Sequence, residues 1–198
     1  MEADLVLCTG NPGKVEEIRA LLPARLRIAG LKEMGLPQDL PETGDTLHAN
    51  AEQKARFAFE RCGLPCIADD TGLEVYALNG APGVFSARYA GEEKSAVANM
   101  RKLIVEMQDK TDRRARFRTV IAYVDATTVE FFEGTVEGMI TEEPRGTGGF
   151  GYDPIFLPVM SNLTFGELDT MRKNAISHRG QAVWKLVRWL SESHHRER

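Results

Sequence analysis

Apolar positions along this chain recur at helical spacing in four stretches, with short apolar or alternating runs between them. Leu5–Cys8 is a short apolar run that ends at Thr9-Gly10-Asn11-Pro12-Gly13-Lys14. Val15, Ile18, Leu21 and Leu22 then fall at helical spacing, so the segment predicts strand, glycine turn, helix. Leu26–Leu31 predicts a second strand, and Leu36–Gly44 a polar, proline-bearing loop that carries Glu42. A long helix is expected from about Thr46, with Asp45 as its N-cap. Leu47, Ala51, Ala55, Ala58 and Cys62 form its apolar stripe, and Asn50 and Lys54, one turn apart, share a side. Gly63-Leu64-Pro65 ends it.

Cys66-Ile67-Ala68 reads as a short buried strand running into Asp69-Asp70-Thr71-Gly72, with Leu73-Glu74-Val75 as a further short strand. Asn79–Gly83 is a turn cluster. Lys94–Met107 predicts a helix with Val97, Met100, Leu103, Ile104 and Met107 on its core face. Arg116–Val124 and Val129–Ile140 read as strands, and Ala126-Thr127-Thr128 can turn them into a hairpin. A closing helix from about Gln181 to Ser191 buries Val183, Leu186, Val187 and Leu190. The tail Ser193–Arg198 is charged and expected to fray.

Composition narrows the class. The 198 residues suit one domain spanning the whole chain, with room for two lobes around a cleft, and 42% hydrophobic content supports a true core. A net charge of −4 argues against a general nucleic-acid binder, while leaving room for a small phosphorylated ligand. Cys8, Cys62 and Cys66 do not form a disulfide framework, and no His/Cys cluster completes a zinc site, so they read as buried thiols. No stretch has the length of a membrane span, and the N-terminus has no leader pattern. The expected compartment is the cytoplasm, with no membrane partner.

Four constellations carry candidate chemistry. The first is Thr9–Lys14, where glycines opening a helix present N–H groups to an anion and Lys14 adds a charge. Its spacing is Gly-x-x-Gly-Lys with Val15 following, which is not the usual P-loop, and an ordinary strand–helix turn would also account for it alone. The second is Asp69-Asp70, two adjacent carboxylates at the end of a buried strand, costly unless they bind a cation or protons. One of them can hold magnesium or deprotonate a water, and Glu42 is a candidate second ligand, since hard oxygens suit magnesium. The third is Lys173–Gly180: Ser177 is placed to cap the last helix, with His178 and Arg179 at its electropositive start, and a solvated basic turn would also account for it alone. His48, His194 and His195 lack such a context and read as surface or helix residues. The fourth is Gly146–Pro154, four glycines with Phe150, Tyr152 and Asp153, a loop suited to approach and stack on a base.

Taken in order, Thr9–Lys14, Ala68–Leu73, Gly146–Pro154 and Ile176–Gly180 resemble the motifs of the inosine triphosphate pyrophosphatase family, the Ham1/RdgB-like group. The likeness spans residues 5 to about 190. It implies an α/β fold with a long mixed central sheet flanked by helices, two lobes around an active-site cleft, and a homodimer. It also implies hydrolysis of ITP, XTP and their deoxy forms to the monophosphate and pyrophosphate, with magnesium. By position, Asp70 corresponds to the family's proton acceptor and metal ligand, with Asp69 beside it, and Glu42 to a metal-binding glutamate. Thr9, Gly10, Asn11, Pro12, Gly13 and Lys14 correspond to the nucleotide loop, and Thr71 stands where serine is frequent. Lys54 and Lys173 correspond to lysines reaching the phosphates, Phe150, Gly151, Tyr152 and Asp153 to the base-binding segment, and His178 and Arg179 to the pair that reads the base. Met171-Arg172 departs from the acidic residues that often precede the lysine of the last motif.

These assignments imply attack between the α- and β-phosphates. Asp70 or its neighbour activates the water, Lys14, Lys54 and Lys173 stabilise the leaving group, Phe150 stacks on the base, and Arg179 or a backbone N–H donates to its 6-oxo oxygen. A nucleotide sensor without turnover, and a pyrophosphatase for damaged pyrimidine or modified nucleotides, are the competing readings.

Overall fold

In the computed structural model, which describes residues 3–193, the first apolar run becomes β1 (Leu5–Leu7) and the helix after it α1 (Pro12–Leu21). There follow β2 (Ile28–Gly30), α2 (Leu47–Cys62), β3 (Cys66–Val75), β4 (Pro82–Gly83), α3 (Ala96–Glu106), β5 (Arg114–Val124), β6 (Val129–Ile140), β7 (Phe156–Pro158), α4 (Thr170–Ile176) and α5 (His178–Ser193). The strands form one mixed seven-stranded sheet in the order β2-β1-β3-β5-β6-β7, with β4 paired to β3. β1 runs parallel to β2 and β3, whereas β4 is antiparallel to β3 and β7 to β6. This is the expected α/β class. Residues 194–198, including His194 and His195 and most of the expected charged tail, lie outside the described residues. Among the described residues, no helix is long and apolar enough to cross a membrane.

The chain divides into two compact units. The first comprises residues up to Asp70, Thr119–Gly134 and those from Arg179; the second comprises Thr71–Arg118 and Thr135–His178. The first unit's core joins Leu5 and Leu7 of β1 to Ile18 and Leu22 of the α1 end, Ile67 of β3, Ile121 and Tyr123 of β5, and Ala182, Val183 and Leu186 of α5. The second is built from Leu73 and Val75 of β3, Leu103 and Met107 at α3, and Phe117, Ile140, Tyr152, Phe156 and Phe165. Its Phe117 and Phe156 rings lie 4.7 Å apart, tilted by 60°, an attractive arrangement of aromatic quadrupoles.

Several local expectations change. Cys66–Val75 is one ten-residue strand rather than two short ones, so Asp69 and Asp70 lie in its middle, not at its end. Asp, Thr and Gly favour turns, where the polar side chains compete for backbone groups. Here those carboxylates are taken by cations, described below, and the strand runs on to pair with β4 at Leu73 and Glu74. The cap of α2 is Thr46, not Asp45: its hydroxyl accepts from Ala49 N at 3.1 Å. Gly63 closes the same helix in the left-handed region at φ 66°, its N–H bonded to Phe59 O at 2.8 Å. On α3 Leu103 and the following Met107 are buried, but Val97 is 62% exposed and leaves the expected core face. That helix begins after its cap Ser95, so Val97 falls in the first turn. β7, three residues long, and α4, seven residues long, are too short for a periodic pattern to announce them. The predicted hairpin forms between β5 and β6, its turn held by Asp125, whose Oδ1 accepts from Thr127 N and Thr128 N at 2.8 Å each. His48 sits on α2, with Nε2 2.8 Å from Glu133. Cys8 and Cys66 are buried as expected, and Cys62 is half-buried.

The capping assignment gives a direct check. Replacing Thr46 with alanine is expected to lower unfolding stability by about 1 kcal/mol. Asp45→Ala should stay within roughly 0.5 kcal/mol, the range of an exposed uninvolved site. Urea denaturation of the two variants measures both.

Candidate active site

In the first unit the turn Thr9-Gly10-Asn11 leads from β1 into α1. Asn11 caps that helix, its Oδ1 accepting from Lys14 N at 3.3 Å, and Pro12 opens it with the fixed φ that suits a first turn. Thr9 Oγ1 accepts from Asn11 N at 3.2 Å, so the turn is braced from within. Gly13 and Lys14 complete the first helical turn. From there Lys14 Nζ lies 3.0 Å from Asp69 Oδ2 and 3.4 Å from the Asp69 carbonyl.

α2 faces the same strand with two polar residues a turn apart, and both are buried. Asn50 donates through Nδ2 to Asp70 Oδ2 at 3.1 Å, and its Oδ1 accepts from Gly44 N at 2.7 Å. Lys54 Nζ reaches Glu42 Oε1 at 2.5 Å, the Asp69 carbonyl at 2.7 Å and Asp70 Oδ1 at 3.4 Å. Asp69 is gripped from the other side by Arg179, whose Nε and Nη2 each stand 3.3 Å from Oδ2. The Arg179 guanidinium also donates to Glu17 on α1. Arg179 is among the largest fully buried side chains of the protein.

The neighbouring carboxylates are thereby made unlike. Burial alone would raise Asp69, but Lys14, Arg179 and Lys54 outweigh it and hold its carboxyl well below the usual range. For Asp70 burial wins over Lys54 and Lys14, and its carboxyl is raised. Burial likewise pulls the Lys14 ammonium down, against the opposing pull of Asp69. Lys54 is raised: burial is again the largest influence, but Asp70, Glu42 and Asp69 together exceed it.

Glu42 and Asp70 fit a magnesium site. Both carboxylates meet at the Lys54 ammonium, so one cation there can be reached by both. Magnesium commonly takes only one or two protein carboxylates, filling its shell with water and phosphate oxygens. Asp69 suits such a site less well, since Lys14 and Arg179 already hold its Oδ2.

The second unit carries the glycine-rich run. Asp153 Oδ2 accepts from Phe150 N at 2.7 Å and from Lys173 Nζ at 2.6 Å, so this carboxylate folds the loop back on itself. Gly149, at φ 68°, makes room for it: a Cβ there would collide with the Asp153 carboxylate. Gly151, at φ 62°, also needs the left-handed region. Lys173 Nζ lies 4.9 Å from the centre of the Phe150 ring, close enough for cation–π attraction. Tyr152 is buried, its hydroxyl donating to Ser86 O at 2.9 Å. His178 is buried and stacks on Phe117, with ring centres 4.6 Å apart and planes within 16°. Thr71, half-buried in β3, is the first residue of this unit.

The structure thus gathers Lys14, Glu42, Lys54, Asp69, Asp70 and Arg179 in the first unit, and Phe150, Asp153, Lys173 and His178 in the second. Arg179 is engaged by Glu17 and Asp69, and Lys173 by Asp153 and the Phe150 ring. Glu17 was not foreseen, because a glutamate on an otherwise ordinary helix gives no signal until its arginine partner, 162 residues away, is known. Asn50 had the helical phase of Lys54 as a hint, but no carboxylate to point to.

A sequence profile of the Ham1 family matches residues 5–189. A dITP/XTP pyrophosphatase of Porphyromonas gingivalis is 54% identical over 187 residues, covering 94% of this chain and 96% of that protein. One from Christiangramia forsetii is 47% identical over 188 residues, covering 95% and 99%. Among solved structures, a Ham1 protein from Coxiella burnetii matches with a TM-score of 0.88 at 42% identity, covering 96% of this chain and all of that one. With nearly its whole length matched in sequence and in fold, the chain belongs to the Ham1 family.

Proposed function

We propose that this chain hydrolyses dITP and XTP, together with ITP and dXTP, to the monophosphate and pyrophosphate, with magnesium, as a single cytoplasmic domain that forms homodimers. That it is a nucleoside-triphosphate pyrophosphatase rests on its family and on the activity named for its relatives. The observation that carries the chemistry is the division of labour between Asp69 and Asp70. A base must be ionised yet keep a real affinity for a proton. Asp70 is placed for that need, its carboxylate oriented by Asn50 Nδ2 and Lys54 Nζ. Asp69, held low by three cations, is a poor base and serves to anchor Lys14.

In this reading Asp70 takes the proton of a water attacking the α-phosphorus, and the bridging P–O bond to the β-phosphate breaks. Lys14 and Lys54 stabilise the charge gathering on the departing pyrophosphate. Glu42 and Asp70 would hold magnesium, whose charge neutralises the phosphate oxygens. The Phe150–Asp153 loop takes the base: Phe150 stacks, and Asp153 and Lys173 keep the loop in shape. Arg179 holds Asp69 rather than donating to the 6-oxo oxygen, which leaves that task to a backbone N–H. A site that hydrogen-bonds a 6-oxo, N1–H edge rejects adenine, whose donor and acceptor are reversed there, because its own groups go unpaired.

Pyrophosphate release from dITP with and without magnesium is the primary test; no release with the metal present would refute the proposal and favour a nucleotide sensor. Asp70→Asn should leave nucleotide binding largely intact and cut turnover about a hundredfold or more, the scale of a lost general base. Turnover near wild type would remove Asp70 from that role. In a panel of ITP, XTP, GTP and ATP, kcat/KM should be highest for ITP and XTP; equal values would contradict base selection. Light scattering of the purified protein reads the dimer.

A further inference from the structure

The segment after β4 carries none of the sequence motifs above, yet it holds a chain of buried hydrogen bonds that ends in the base loop. Ser86 is buried, and its Oγ accepts from Leu73 N at 2.9 Å while donating to Gly83 O at 2.6 Å. Gly72 lets this segment lie close on β3: a Cβ there would meet the Gly83 carbonyl oxygen at 2.8 Å. Asn99, buried on α3, fixes the other side. Its Nδ2 donates to Ala87 O at 2.9 Å and Ser86 O at 3.4 Å, and its Oδ1 accepts from Ala90 N at 2.7 Å. The Ser86 carbonyl held in this way is the one that receives the Tyr152 hydroxyl at 2.9 Å.

We propose that Ser86 is a positioning residue for base selection, acting through the Tyr152 hydroxyl. The inference rests on the reading of Phe150–Asp153 as the base-binding segment. The physical need is clear from the loop itself. Glycines at positive φ on both sides of Phe150 leave it pliable, whereas discrimination between purine edges needs donors and acceptors fixed to within about 0.5 Å. Asp153 fastens the loop to its own backbone and to Lys173. The Tyr152 hydroxyl fastens it to a fixed point on β3 and α3. The Tyr152 ring belongs to the apolar core of this unit, so the hydroxyl can be removed without removing the packing.

The test compares Ser86→Ala, Tyr152→Phe, the double variant and Ser86→Thr, measuring kcat and KM for dITP and GTP together with the melting temperature. Ser86→Ala and Tyr152→Phe should each lower the dITP-over-GTP ratio of kcat/KM about tenfold, the scale of one buried hydrogen bond, chiefly through KM for dITP. The double variant should be little worse than either single one, because the two act along one path. Ser86→Thr, which keeps the hydroxyl, should recover most of the ratio. A lowered melting temperature with an unchanged ratio would make the network merely structural and overturn the proposal. If Ser86→Ala does not fold, Tyr152→Phe decides by the same ratio. Absence of dITP turnover in the wild-type enzyme overturns the base reading and this inference with it; a wild-type preference for dITP that all variants retain overturns this inference alone.

Discussion

Two adjacent carboxylates in the middle of a buried strand are costly to bury, and much of the first unit is arranged around them. A buried ion without partners costs several kcal/mol. Lys14 from α1, Lys54 and Asn50 from α2, and Arg179 from the start of α5 all converge on Asp69 and Asp70. Three helices are thereby fixed to one strand by polar contacts, while the apolar core holds α1 and α5 to β1, β3 and β5. Glu17 completes the set by sharing Arg179 with Asp69.

The partners do not divide equally, and the inequality sets the two carboxylates apart. Asp69 receives enough positive charge to remain an ion throughout, and becomes a fixed anchor. Asp70 receives less, keeps its affinity for a proton, and shares the Lys54 ammonium with Glu42. A single buried strand thus carries two unlike carboxylates side by side, one held low and one raised. The second unit treats its acid differently: Asp153 is spent on Phe150 N and Lys173, so that a glycine-rich loop has one shape rather than many.

Much of this was legible from local pattern. The helical phases of α1, α2, α3 and α5 and the runs of β5 and β6 follow from apolar spacing. The residues for chemistry stood out because glycine clusters and paired acids are poor packing material. Position within an element was harder to read. Asp69-Asp70-Thr71-Gly72 has the local preferences of a turn, whereas β3 runs through it with its carboxylates met by cations from three distant helices. Thr46 and Asp45 are both good caps, and one hydrogen bond to Ala49 N separates them. The partners of Arg179 and of the Ser86 carbonyl lie far away in the chain, where no local signal reaches. Resemblance supplied the roles, and the geometry adds the contacts of Arg179 with Asp69 and of Lys173 with Asp153 in the glycine-rich loop.

The unequal treatment of the two carboxylates is the central claim, and its most direct test is the unfolding stability of Asp69→Asn beside that of Asp70→Asn, measured by chemical denaturation in one buffer without nucleotide. Asp69→Asn strips Lys14 and Arg179 of their shared counter-charge and should cost about 3–5 kcal/mol, the range for breaking a buried pair. Asp70→Asn relieves a carboxylate that burial already disfavours, and should change stability by no more than about 1 kcal/mol. Equal losses, or a larger loss at Asp70, would contradict the division of the pair into one anchor and one reactive group.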